Sequence, residues 1–245
     1  MIITKTIAMR SKLFIAILLL SSSFCKAQKN EWQVYAGSGV FFMSGKSIDK
    51  TRIEFIRPAP NDAPMNVSKH YGNKPGIAVS AGVSFNHIFK QNWQVGIAAG
   101  YQHISSNGDI DSLDIVSQIG HGGYATNGEF KFKAGSIVIN PLFGKRLIKG
   151  KQTFTITAGP EFVFFLDNSE TVKYRTSFPD EERNYKNKLE KTTSDTRIKI
   201  AFGWQINKIG IDISYAKGVK SFYDDYYGES DLYSNLIGIN FKYRL

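Results

Sequence analysis

The feature that most constrains the fold is a regular alternation of apolar residues with small or polar ones. It is clearest at 76–86, "GIAVSAGVSFN", where every second residue is apolar and the residues between them are Ala, Ser, Gly or Asn. A period of two residues is that of a β-strand with two unlike faces. In a water-soluble protein the apolar face turns inward, whereas in a barrel embedded in lipid it turns outward. The rest of the sequence has to decide between these two arrangements.

The alternation recurs along the chain and predicts eight strands and no helix. The strands are predicted at about 31–44, 76–86, 93–105, 129–144, 154–164, 198–206, 209–215 and 237–245. Eight is an even number, and a tilted strand needs about 9–11 residues to cross a bilayer. In the fourth strand the apolar phase changes from Phe130 and Phe132 to Ile137 and Ile139, which predicts a β-bulge near Gly135.

The connections between the strands alternate in length. The second, fourth and sixth are short, whereas the first, third, fifth and seventh cover roughly 45–74, 104–128, 167–195 and 217–233. Outer-membrane barrels have short periplasmic turns and long extracellular loops, so the alternation favours that class over a soluble sandwich.

Aromatic residues cluster at the two ends of the predicted strands. Two belts of amphipathic rings are expected of a barrel that crosses two membrane interfaces. The belt at the short-turn end comprises Trp32, Trp93, Trp204 and Tyr243, and the belt at the long-loop end comprises Tyr101 and Tyr215 with Phe42 and Phe164.

The alternate face of the later strands carries charges that point to a polar interior. They are Glu161, Arg197, Lys199, Asp212, Lys242 and Arg244. An Arg or Lys facing lipid near the midplane costs about 2–4 kcal/mol, so these side chains are expected inside. Antiparallel register places Glu161 near Lys199 and Asp212 near Lys242. An eight-stranded barrel is about wide enough to be filled by its own side chains, so we expect a porin-like architecture without an open pore.

The first 27 residues have the composition of a secretory signal peptide. Basic residues precede the apolar run "LFIAILLL", and small residues at Cys25 and Ala27 predict cleavage before Gln28. We therefore expect a signal peptide at 1–27, a barrel domain at 28–245, and a mature chain without cysteine. The formal net charge of the whole chain is +10, and we expect an exported, moderately basic protein that does not bind nucleic acid.

Four segments carry a resemblance to a known family: "INPLFGKRL", "FTITAGPEFVFFLD", "IGIDISYAKGVKSF" and "NLIGINFKYRL". They resemble the PorT-like outer-membrane β-barrel family of Gram-negative bacteria, which has an eight-stranded barrel of the OmpA/OmpX type. They depart from the family pattern at Asn140, which is inserted into an Ile-Pro pair, at Val219, where Leu is usual, and at Leu245, where Phe is usual. The resemblance implies the barrel fold and, for some members, a role in protein secretion. It brings no catalytic residues and no cofactor.

The sequence predicts a non-enzymatic outer-membrane barrel whose loops bind a partner or ligand or assist secretion or envelope integrity. Expected contacts are membrane lipid and lipopolysaccharide, the latter through basic residues of the first loop. The turn containing Lys145, Arg146, Lys149 and Lys151 is expected to meet phospholipid headgroups on the other rim. No metal ion or other cofactor is expected.

Two alternatives remain open. "YQHISSNGD" resembles the His-x-Ser-Asn segment of lipid A deacylases, which would make His103 a base, Ser105 a nucleophile and Glu129 the orienting acid. Ser106 interrupts that pattern before Asn107. The other alternative is a soluble lipocalin-like carrier, which would have an apolar lumen.

Overall fold

The computed structural model describes residues 29–45, 48–49, 51–57, 65–68, 71–72, 74–117, 120–177, 180–188, 194–221 and 232–245. The predicted signal peptide at 1–27 lies outside these residues, as do 46–47, 50, 58–64, 69–70 and 73 of the predicted first loop.

Eight long strands form a closed antiparallel ring. Each strand pairs with its neighbours in the chain, and the first pairs with both the second and the last, which closes the barrel. The predicted fold class, an eight-stranded antiparallel barrel, is confirmed. The strands are β1 Lys29–Ser44, β2 Gly76–Ile88, β3 Trp93–Ser117, β4 Gly120–Lys149, β5 Gln152–Ser177, β6 Ser194–Ile206, β7 Ile209–Gly218 and β8 Tyr233–Arg244.

Tight turns connect the strands at one end, which we call the short-turn end. A single 3-10 turn, Lys90–Asn92, joins β2 to β3, and two-residue turns join β4 to β5 and β6 to β7. Gly150 and Asn207 have φ of 61° and 53°, the left-handed conformation that two-residue hairpin turns require. Within the described residues, no helix is both long and apolar enough to cross a membrane.

At the opposite end, the long-loop end, three strands continue far beyond the rest of the ring. The ladder between β3 and β4 runs to Ser117 and Gly120, and β5 extends to Ser177. The predicted loops at 104–128 and 167–195 are therefore largely strand, because their polar residues continue a paired hairpin. Further short strands add to this extension or lie beside it: Ile48–Asp49, Thr51–Arg57, Met65–Ser68, Tyr71–Gly72 and Asp180–Lys188.

The predicted bulge is present, but the change of phase occurs in β5 and not in β4. The register between β4 and β5 shifts at Gly135/Ser136, where Leu166 has no partner. Along β4 the even-numbered residues stay inside throughout, so Phe130 and Phe132 are buried. These two rings therefore lie on the opposite face of β4 from Ile137, in the interior.

The wall of the barrel has its apolar face outside. In β2 the exposed fractions of Ile77 and Val79 are 67% and 47%, whereas the intervening Ala78 is 3% exposed and Ser84 is 4% exposed. The same division holds for Val95 and Ile97 against Gln94 in β3. This polarity is the reverse of a soluble protein, in which large apolar side chains fill the interior.

Candidate functional site in the barrel lumen

The lumen, meaning the space enclosed by the eight strands, is closed towards the long-loop end by an apolar cluster. Its side chains come from six strands and from Leu232 just before β8, and Phe165 of β5 packs against them. Phe41 is completely buried, as is Ile104. We call this group the apolar plug: Phe41, Met43, Ala78, Ile104, Phe132, Ala134, Ala216, Leu232 and Leu236.

Directly next to the apolar plug, the Arg197 side chain crosses the lumen. Its guanidinium carbon lies 5.7 Å from the centre of the Phe41 ring. Its Nε donates to Asp195 Oδ2 at 2.7 Å and to Ser234 Oγ at 3.0 Å. Its Nη1 donates to Gln102 Oε1 at 2.9 Å and lies 3.4 Å from Glu161 Oε1. Arg197 thus joins β6 to β3, β5 and β8, and we call this group the arginine clamp.

The lumen contains two further ion pairs that the strand register predicted, and the first of them shares Glu161 with the clamp. Lys199 Nζ lies 2.7 Å from Glu161 Oε2, and Lys242 contacts the carboxylate of Asp212. Glu161 and Arg197 are completely buried. A buried charge is costly unless it is paired, so each of these groups depends on its partner.

A second ion network lies at the short-turn end and was not predicted. Arg146 Nη1 donates to Glu31 Oε2 at 2.6 Å, and Arg146 Nε donates to Gln94 Oε1 at 2.5 Å. Arg244 Nη1 donates to Glu31 Oε1 at 3.0 Å, while Lys29 lies 3.1 Å from the same oxygen. We call this group the rim network. Arg244 is therefore inside as predicted, but Arg146 is also inside, and its predicted contact with headgroups is wrong.

Between the arginine clamp and the rim network lies an internal cavity of about 70 Å³. At about 10–15 Å³ for each water, this is room for a few water molecules. The Oγ of Ser84 has no hydrogen-bond partner among the described residues and belongs to the lining. In the clamp, Asp195 Oδ1 and Arg197 Nη2 also have no hydrogen-bond partner among the described residues. The lining is mostly polar and includes Gln33, Tyr35, Asn86, Asn140, Lys199 and Lys242.

The predicted aromatic side chains all point away from the lumen. Trp93 stacks on Phe143 with ring centres 5.0 Å apart, and Lys145 lies 5.0 Å from the Trp93 ring. Lys208 lies 5.6 Å from the Tyr243 ring. The exposed fractions of Trp32, Trp204, Tyr101 and Tyr215 range from 40% to 55%. These rings therefore form the outer surface of the wall at its two ends.

The three residues of the deacylase alternative are not brought together. Ser105 Oγ donates to the Ile77 carbonyl and accepts from the Ile77 N–H, both at 3.1 Å. Glu129 pairs with Asp109, whereas His103 pairs with Gly135, six residues away along β4. At about 3.4 Å per residue, this separates Glu129 from His103 by about 20 Å. Glu129 lies on the same face as His103, but out of reach.

The described residues contain no group of three or more His, Cys, Asp or Glu side chains arranged to hold a metal ion.

Comparison with known proteins gives structural matches only. No family model and no curated protein matches the chain. Among solved structures, Ail, the attachment invasion locus protein of Yersinia pestis, is 12% identical, covers 89% of this chain and 99% of its own, and has a TM-score of 0.36. Neisserial surface protein A is 7% identical over 87% and 97% of the two chains, with a TM-score of 0.38. The outer membrane protease OmpT of Escherichia coli is 12% identical over 87% and 97%, with a TM-score of 0.39. The assignment of the fold rests on the closed strand register and not on these matches.

Proposed function

We propose that the chain is an integral outer-membrane β-barrel protein of a Gram-negative bacterium. The observation that carries this proposal is the reversed polarity of the wall, with exposed Ile, Val and Phe outside and ion pairs inside. In water, such an exterior would be one contiguous apolar patch around the whole molecule, which soluble monomers avoid. In a bilayer the same surface contacts lipid, and the closed ring leaves no unpaired strand edge in the hydrocarbon.

The barrel serves as a non-enzymatic scaffold and not as a pore. Among the described residues, the apolar plug and the arginine clamp fill the lumen in series, and we expect them to block a continuous water path between the two ends. What remains available for function is the extended β3–β5 end, which projects beyond the lipid-facing wall, together with the loops of the chain. We propose that this end binds a partner or ligand, or assists secretion or envelope integrity. The PorT-like segments of the sequence favour the secretion role.

Membrane fractionation tests the location. We expect the full chain in the outer-membrane fraction, resistant to carbonate extraction, and migrating faster in gels before heating than after it. Protease added to intact cells should cleave in the long-loop end and leave the β1–β8 wall intact. Recovery of the folded chain in the aqueous phase of a detergent partition would overturn the proposal and favour the lipocalin-like carrier. That alternative also requires an apolar lumen, whereas the described lumen carries at least four ion pairs.

The proposal that the protein is not an enzyme rests on the hydrogen bonds that the Ser105 hydroxyl already makes. This hydroxyl bonds the backbone of Ile77 in β2 and forms no hydrogen bond to a His or an acid among the described residues. A Ser105→Ala variant expressed in a deletion strain should leave the number of acyl chains on lipid A identical to that with the wild-type protein. Deletion of the whole gene should also leave it unchanged. Loss of one acyl chain that depends on Ser105 would show a deacylase.

A further inference from the structure

The outer surface of β3, β4 and β5 changes from apolar to polar beyond the lipid-facing wall. Tyr101, Ile137 and Phe164 are paired in one row across the three strands and are each 44–48% exposed. They form the last fully apolar row on this side. The next outward row contains His103, Gly135 and Asp167, and the Tyr101 hydroxyl lies against Gly135. A tyrosine with its ring on the apolar side and its hydroxyl beyond marks an interface with headgroups.

Two lysines occupy the next two rows. Lys133 is paired with Ser105 on one side and Ser169 on the other. Lys131, two residues further out, is paired with Asn107 and Thr171. Both lysines are exposed. Because paired residues on neighbouring strands project from the same face, each ammonium group is flanked by hydroxyl or amide side chains and not by a carboxylate.

Neither lysine is neutralised by the rest of the described chain. No described residue forms an ion pair with Lys131 or Lys133. The nearest acids are engaged or lie in other rows. Asp167 accepts a hydrogen bond from the Gly135 N–H at 2.9 Å, and Asp109 is 2.7 Å from Lys74. Glu129 lies one row further out, between Asp109 and Lys173.

The height of the two lysines fits the phosphates of a lipid headgroup. Lys133 is four residues beyond Ile137, which is about 13 Å along the strand and about 9 Å in height for a strand tilted by about 45°. The headgroup region of one leaflet is about 5–8 Å deep. A lysine just above this region bends its flexible stem back so that the ammonium group reaches the phosphates. Lys131 lies a further 5 Å or so higher, by the same estimate, where the phosphorylated sugars of a large headgroup would be.

We propose that Lys131 and Lys133 form a binding site on the outer wall for a phosphorylated glycolipid of the outer leaflet, with Lys133 on the phosphates nearest the acyl chains and Lys131 on those further out. This inference rests on the proposed outer-membrane location and adds a specific contact to it. Two stacked cations with hydroxyl neighbours suit a headgroup that carries several phosphates and sugars. An ordinary phospholipid offers a single phosphate at one height and would leave Lys131 unused.

The test uses the full mature chain, folded in phospholipid nanodiscs and titrated with purified lipopolysaccharide. We expect the double variant Lys131→Gln/Lys133→Gln to bind about 5- to 30-fold more weakly than wild type, as removal of one to two lysine–phosphate attractions predicts. The matched control is Lys149→Gln/Lys151→Gln, which removes the same charge from two exposed lysines at the short-turn end. This control should bind as wild type does.

Two ligand arms identify the recognised group. Lipopolysaccharide treated with phosphatase should bind the wild-type barrel as weakly as intact lipopolysaccharide binds the double variant. Phosphatidylglycerol should bind more weakly than lipopolysaccharide and should be little affected by Lys131→Gln. Equal binding of lipopolysaccharide by the double variant and wild type overturns the inference, as does equal loss in the control variant or equal affinity for phosphatidylglycerol. If the chain instead fails to insert into bilayers at all, the proposed function is wrong, so the two failures are distinguishable.

Discussion

At the scale of single residues, the lumen depends on a few charged side chains that cross it. Arg197 contacts groups on three other strands, and Glu31 receives Arg146 from one side and Arg244 from another. The cost of removing one member of a buried pair exceeds the gain from forming it, because the remaining charge stays buried without a partner. These residues therefore specify how the strands close around the interior.

Substitution of Arg197 by Met should be strongly destabilising. It removes the cation between Glu161 and Asp195 and leaves both carboxylates buried, so we expect a loss of about 3–5 kcal/mol in the free energy of unfolding. Urea unfolding in lipid vesicles, followed by tryptophan fluorescence, measures it. Lys220→Met removes an exposed cation near the end of β7 and should change the free energy by less than about 0.5 kcal/mol. A loss of the same size in both variants would show that charge alone, and not the clamp, is responsible.

The rim network should show strong coupling between Glu31 and Arg146. In a double-mutant cycle with Glu31→Gln and Arg146→Met, each variant loses free energy of unfolding. The sum of the two single losses should exceed the loss in the double variant, with an interaction energy of about 1–3 kcal/mol. The same cycle with Lys29→Met in place of Arg146→Met should give less than about 0.5 kcal/mol, because the Lys29 side chain is 66% exposed and screened by water. Additive effects of Glu31 and Arg146 would contradict the short contact between them.

At the scale of strands, the alternation of residues predicted the ring and two of its ion pairs, because a period of two fixes both the face and the register of a strand. The predicted fourth strand ends at Gly144 and does not reach Arg146, although Asn140, Leu142, Gly144 and Arg146 continue one face. Asp195 falls in the predicted fifth connection, although it is two residues before Arg197 on the same face. The long extension of β3–β5 was missed because polar residues dominate it, and a strand outside lipid has no apolar band to reveal it.

The position of the bulge explains why the change of phase is predicted in β4 but occurs in β5. The sequence of β4 contains apolar residues on both faces, Phe130 and Phe132 inside and Ile137 and Ile139 outside, so alternation alone suggests a shift there. In the structure the extra residue is Leu166 in β5, which is 62% exposed. Beyond it, Asn168 and the even-numbered residues face inward, whereas before it the inward residues are odd-numbered. A single sequence does not distinguish which of two paired strands carries the extra residue.

Deletion of Leu166 should remove the bulge and preserve the extended end. Asp167 then follows Phe165 directly, the strand alternates regularly, and Val172 and Tyr174 stay in the small cluster with Ile110 and Phe130. Deletion of Ser169 as well should turn Val172 and Tyr174 to the outer face and Lys173 inward, because no extra residue is left to absorb the change. We expect rapid proteolysis within the paired strands of the extended end for the double deletion only, in intact vesicles, with the gel shift on heating retained in both variants. Equal resistance of the two variants would show that the strand tolerates either phase.

At the scale of the whole molecule, the two fillings of the lumen act in series, so that conduction requires both to be removed. The wild-type chain in planar bilayers should give no stable conductance. Arg197→Met alone should also give none, because the apolar plug, with Phe41 and Phe132 at its centre, still excludes water next to the clamp. Phe41→Ala/Phe132→Ala alone should give none either, because the clamp still crosses the lumen.

The combination of all three substitutions should give brief, small, cation- or anion-conducting openings. The measurement uses only preparations whose gel shift on heating shows a folded barrel. Stable conductance in the wild type would mean that the plug or the clamp moves aside, and conductance in either partial variant would mean that one layer alone closes the barrel.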